Sequence, residues 1–154
     1  MYHMISTSVR ALGLVSAMLL TFPTGSWAAS PSPVGSWQSI RTHSHAVKAV
    51  FDVRQQGDTL TARVVKLYPK QGQPQDQRCT ACKGVLANHP IEGLTIIWGL
   101  HKEGDDWVGG RILDPTSGKV YNVKMMPAAD GKSMEVCGYL GTPLFGKSQT
   151  WYRR

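Results

Sequence analysis

The chain has 154 residues, with 17 Lys and Arg against 10 Asp and Glu and a formal charge of +7. That length suits one domain with a sizeable core rather than several. The cations are scattered (Lys48, Arg54, Arg63, Lys66, Lys70, Lys83, Lys102, Arg111, Lys124) with no basic stripe interleaved with aromatics. This argues against a nucleic-acid partner and suits at most a weak association with an anionic envelope surface.

The first element is not part of the expected fold. Arg10 precedes an almost wholly apolar or small stretch over 11–22, Pro23 and Gly25 break it, and Ser26-Trp27-Ala28 supplies small residues where a signal peptidase reads. This pattern predicts a signal peptide over 1–28, too short to span a bilayer, with a short membrane anchor as the other reading. The expected domain is then 29–154, and the expected location is periplasmic or secreted.

From there the dominant period is two. Val47, Ala49, Phe51 and Val53 alternate with Lys48, Asp52 and Arg54, and Leu60, Ala62 and Val64 with Thr61 and Arg63. Leu94, Ile96, Trp98 and Leu100 share one parity, as do Tyr121, Val123 and Met125, and then Met134, Val136 and Leu140. Strands with one buried face read this way. Hairpin chemistry punctuates them at Gln56-Gly57-Asp58, Glu103-Gly104-Asp105, Asp114 to Gly118 and Ala129-Asp130-Gly131. The predicted strands cover 34–41, 46–55, 58–68, 94–102, 105–114, 119–127, 132–141 and 147–153, with a bulge at Gly109-Gly110. Eight strands in a meander predict an all-β, antiparallel up-and-down barrel, since closure removes exposed edges. A β-sandwich is the alternative.

In such a meander alternate connections share a rim. One rim receives Thr42 to His45, the 22-residue connection over 69–90, Asp114 to Gly118, and Thr142 to Gly146. The other has only tight turns. An opening is expected at the decorated rim, with the long connection as its lid. That connection holds Cys79-Thr80-Ala81-Cys82. No helix is expected there to activate a redox dithiol. In an oxidising compartment the favoured reading is a disulfide between Cys79 and Cys82, pinning the lid tip. A metal site of Cys79, Cys82 and the histidines His43, His45 and His89 is the alternative. Cys137 is either an exposed free thiol or the partner of one loop cysteine.

Gly35-Ser36-Trp37 opens the first strand as G-x-W does in lipocalins, and Trp151-Tyr152-Arg153 closes the last. The resemblance implies a barrel base built from Trp37, Trp151 and Arg153, with the arginine across the Trp37 indole face. A fuller resemblance covers essentially all of the expected domain. It is carried by Cys79-x-x-Cys82-x-Gly84, Ile91-x-Gly93-Leu94, Ile97-x-Gly99-Leu100, Trp107-x-Gly109-Gly110-x-Ile112-Leu113-Asp114-Pro115-x-x-Gly118-Lys119-x-Tyr121, Gly138-Tyr139-x-Gly141 and Gly146-x-x-Gln149-Thr150-Trp151-x-Arg153. These segments are similar to a family of small secreted bacterial proteins catalogued as domain of unknown function 2147, lipocalin-like (calycin) in fold. The His-x-His turn and Cys137 depart from the family's pattern. The family brings no catalytic residues to carry over.

The chain has no G-x-S-x-G, H-E-x-x-H or phosphate loop, and neither catalysis nor a cofactor is expected. Phe51, Val53, Trp98, Tyr121, Met125 and Met134 lie on the apolar parities. They are candidates either for core packing or for lining a cavity. The expected function is binding of a small apolar or amphipathic molecule inside an exported barrel. The alternatives are metal binding through the cysteine loop, and a protein-interaction module with a filled barrel.

Overall fold

The computed structural model describes residues 31–154; the predicted signal segment lies outside them. Eight strands run β1 Gly35–Ile40, β2 Val47–Gln56, β3 Thr59–Leu67, β4 Thr95–Glu103, β5 Asp106–Asp114, β6 Lys119–Pro127, β7 Ser133–Tyr139 and β8 Lys147–Arg153. All neighbouring pairs are antiparallel in chain order. The barrel closes where β1 meets β8, with Trp37 opposite Arg153 and Ser39 opposite Trp151. The alternation of apolar residues therefore serves a closed barrel rather than a sandwich: one parity of each strand faces a single interior.

The interior is layered. Trp37, Val53, Leu60, Leu100, Met125 and Met134 are fully buried and fill the end closed by tight turns. Arg153 caps that end. Its guanidinium lies 4.3 Å from the Trp37 ring centroid and donates to the carbonyls of Gly131 at 2.7 Å, Val34 at 3.1 Å and Ser32 at 2.6 Å. Gly35 makes this possible, because a Cβ there would sit 2.9 Å from an Arg153 Nη1 already in place. The G-x-W signature thus has a steric cause: the glycine leaves room for the cation that covers the tryptophan. Trp151 sits one layer higher and stacks on Phe51, rings parallel within 1° and centroids 3.9 Å apart.

One interior expectation is corrected. Trp98 is 37% exposed, on the outer face. Pairing of β4 with β3 slips twice, and at one slip the four residues of β4 from Ile97 to Leu100 face the three of β3 from Leu60 to Ala62. Gly99, at φ +74°, takes the left-handed turn of that bulge. Ile97 and Leu100 are both turned inward and Trp98 outward. A period-two reading cannot see such a slip. The bulge at Gly109-Gly110 is present as a register shift against β6 between Trp107 and Gly110.

Candidate functional site

Above the Phe51–Trp151 floor the barrel is hollow. A cavity of about 550 Å³ opens there, toward the rim of long connections. Its wall from β3 to β7 is mostly apolar, with Val64, Ile96, Ile112, Tyr121 and Val136. The wall from β8 through β1 to β2 is polar. Ser39 lies opposite Ala49 and Trp151, Gln149 is two residues along from Trp151, and Lys48 precedes Ala49; all three line the cup. The Trp151 indole N–H donates to Oε1 of Gln149 at 3.3 Å. Ser39 is 1% exposed, and its Oγ has no hydrogen-bond partner among the described residues.

Of the residues expected to line a cavity, Phe51 and Tyr121 do so. Val53, Met125 and Met134 are fully buried in the packed layers below the floor, and Trp98 is outside. Val136, read on the apolar parity of its strand, was not among the residues expected to line a cavity, and neither were Ser39, Lys48 and Gln149. For Ser39 and Gln149 a signal was present too: the inward parity of Trp37 continues to Ser39, and that of Trp151 to Gln149.

The long connection covers part of the rim. Arg78 and Pro90 form an isolated antiparallel bridge, supported by bonds from Cys79 N–H to the His89 carbonyl at 2.8 Å and from Ile91 N–H to the Gln77 carbonyl at 2.9 Å. Cys79 and Cys82 are joined in a disulfide. They are buried against the barrel rather than at an exposed tip, and belong to the main core cluster with Leu94 and Leu113. Sγ of Cys79 lies 3.2 Å from the Pro115 carbonyl oxygen. Gly118 faces the Ala81 carbonyl so closely that a Cβ would overlap it. The lid is thereby clamped onto the β5–β6 turn. At its far end Glu92 accepts from Leu67 N–H at 2.9 Å and pairs with Lys66 at 3.0 Å. The Leu67 bond, then the Lys66 ammonium, holds the Glu92 carboxyl below its ordinary range despite a small opposing effect of burial.

Where the lid stands away from the β1–β2 turn, a vestibule of about 1250 Å³ leads to the cup, and Lys48, Gln77 and Gln149 line both spaces. Arg41 crosses it as a strut, donating to the carbonyls of Val47 and Tyr68. His43 lines this vestibule, and His45 sits in the adjoining turn at φ 52°. With the cysteines joined, no group of three or more His, Cys, Asp or Glu among the described residues is placed to hold a metal ion. Cys137 is free but buried rather than exposed, because the β7–β8 connection folds over it: a Cβ on Gly146 would meet its Sγ at 2.6 Å. The same connection leaves Leu144 90% and Phe145 85% exposed, and Phe145 borders the cup.

A solved structure described as "Protein HP1028 from the human pathogen Helicobacter pylori belongs to the lipocalin family" aligns with a TM-score of 0.66 and 19% identity, over 79% of this chain and 82% of that one. At that identity the likeness is one of fold. No curated protein matches the chain. The barrel is thus lipocalin-like, and the match over residues 35–153 shows that the chain belongs to the family described as "Uncharacterized protein conserved in bacteria (DUF2147)".

Proposed function

We propose that the protein is an exported, non-catalytic binding protein that carries one small apolar or amphipathic molecule in the cup above the Phe51–Trp151 floor. The observation that carries this reading is the division of the barrel. Its lower layers are packed, which secures the fold, while about 550 Å³ above them remains open. That volume lies within the ordinary range of small-molecule sites, and the walls have the usual makeup of apolar surface with a few polar groups. Export is supported by the signal-peptide pattern over 1–28. Fold alone does not assign function; the open cup is the basis for the reading.

The test is titration with a neutral fluorescent probe, N-phenyl-1-naphthylamine, against the native protein and Val136→Trp. Val136 is buried at the cup wall, and an indole there occupies the space the probe needs. The native protein should bind the probe, and the substitution should weaken binding about tenfold or more through lost apolar contact. Circular dichroism verifies that the variant is folded. No probe binding to native protein stripped of lipid, or equal binding by both, overturns the reading.

A further inference from the structure

We propose that the ligand of the cup is an amphipathic anion, its charged head on the β8–β1–β2 wall and its apolar body against the walls from β3 to β7. This rests on the cup being a ligand site and adds the chemistry of what it selects.

Five polar residues line that wall, Ser39, Lys48, Lys147, Ser148 and Gln149, and three of them carry the argument as donors. Ser39 lines the cup, and its buried Oγ has no hydrogen-bond partner among the described residues. A buried hydroxyl left unpaired costs about 1–3 kcal/mol, a cost that a polar atom of a ligand in the cup would offset. Gln149 has its Oε1 turned to the Trp151 indole N–H. An indole can only donate, so this orientation leaves the Gln149 amide N–H groups as the ones that remain. Lys48 stands where cup and vestibule join, with no acidic partner among the described residues; the ion pairs Arg54–Asp52 and Lys66–Glu92 lie elsewhere. A hydroxyl, a primary amide and an ammonium, with no carboxylate on the same wall, fit an acceptor that carries negative charge.

The approach has the same sign. Arg41, Lys70 and Arg78 line the vestibule, against Asp76. Arg41 and Arg78 spend hydrogen bonds on backbone carbonyls, which hold the side chains without neutralising them. The acid that lines the cup, Asp114, lies on the opposite wall and accepts from Thr116 N–H at 2.9 Å and from the Ser117 hydroxyl at 2.7 Å within its own turn. A cleft lined by one sign of charge raises the local concentration of the opposite sign. The apolar walls exclude a free inorganic anion as the fitting occupant, since Ile96, Ile112 and Val136 would stay uncovered.

The experiment uses N-phenyl-1-naphthylamine displacement from lipid-stripped protein at low salt and about pH 8, where a carboxylate is ionised. The competitors are dodecanoate, dodecyl phosphate, dodecanol and dodecyltrimethylammonium, each below its micelle threshold. One or both anions should displace the probe at about tenfold lower concentration than dodecanol, the worth of a partly solvated charged hydrogen bond, with the cation weakest. Lys48→Met should cut the anion-to-alcohol ratio about fivefold, and Ser39→Ala about threefold. A phosphate advantage points to a phospholipid-type head, and a carboxylate advantage to a free acid. If probe and dodecanol bind but neither anion gains, or both variants leave the ratio unchanged, the head-group inference falls and the cup reading survives. If nothing binds, both fall.

Discussion

Replacing Arg153 by Met keeps the aliphatic stem and removes the cation that closes the barrel base. Three hydrogen bonds to carbonyls and one ring contact are lost. The side chain is solvent-exposed, so each hydrogen bond is set near the low end of its range, about 0.5–1 kcal/mol. The cation over the indole adds about 0.5–1 kcal/mol at an exposed site. Together these give about 2–4 kcal/mol. For a folded unit of roughly 120 residues the unfolding entropy near the midpoint is about 0.25 kcal/mol per kelvin, so the Tm should fall by about 8–16 °C. Arg153→Lys should recover part of the ring term but little of the three-point bonding, and should fall between the two. Differential scanning calorimetry with urea melts measures all three proteins. A shift below about 2 °C for the Met variant would refute the reasoning, because Trp37 would then be held by its packing and by the bond from its indole N–H to the Pro33 carbonyl at 2.7 Å. Equal loss by Met and Lys would remove the ring contact from the account.

Gly118→Ala should separate the lid from the β5–β6 turn, since the position has φ +67° and a Cβ overlaps the Ala81 carbonyl. The expected cost is about 1–3 kcal/mol, with faster proteolysis over 69–90; unchanged cleavage there would show that the clamp lies elsewhere. Glu92 supplies a pH dependence. Its folded pKa is depressed below 4.5, so its stabilisation is fully present above the unfolded value and is lost as pH falls through the folded one. Glu92→Gln should accordingly cost stability at about pH 6, and the cost should shrink as pH falls below the ordinary carboxylate range. A gap in urea midpoint that stays constant from about pH 6 down to the acid limit of the folded protein would show that Glu92 does not titrate with folding.

Much of the architecture was legible because strand periodicity and turn chemistry are local. The eight predicted strands agree with the observed ones to within two residues at each end, while Arg153 over Trp37 was implied by the resemblance of G-x-W and the terminal Trp-x-Arg to lipocalins. Trp98 was misread because a bulge changes facing without changing composition. Val53, Met125 and Met134 were on the right side of their strands, but parity gives only the side, not the height. Whether an inward residue packs the base or lines the cup depends on which side chains meet it from across the barrel. Ser39 and Gln149 were overlooked because a small polar residue on an inward parity reads as unremarkable until it is found buried and facing an open space.

The sequence by itself determined the strand order, the antiparallel meander and the rim that carries the long connections, all consequences of period two and short hairpins. Tertiary structure decided the joining of Cys79 to Cys82, the burial of Cys137 and the position of the floor. It also decided that polar groups from β8, β1 and β2 gather on one wall. Those outcomes depend on closure, which brings β1 against β8 and sets residues more than a hundred positions apart side by side, and no local pattern encodes that distance.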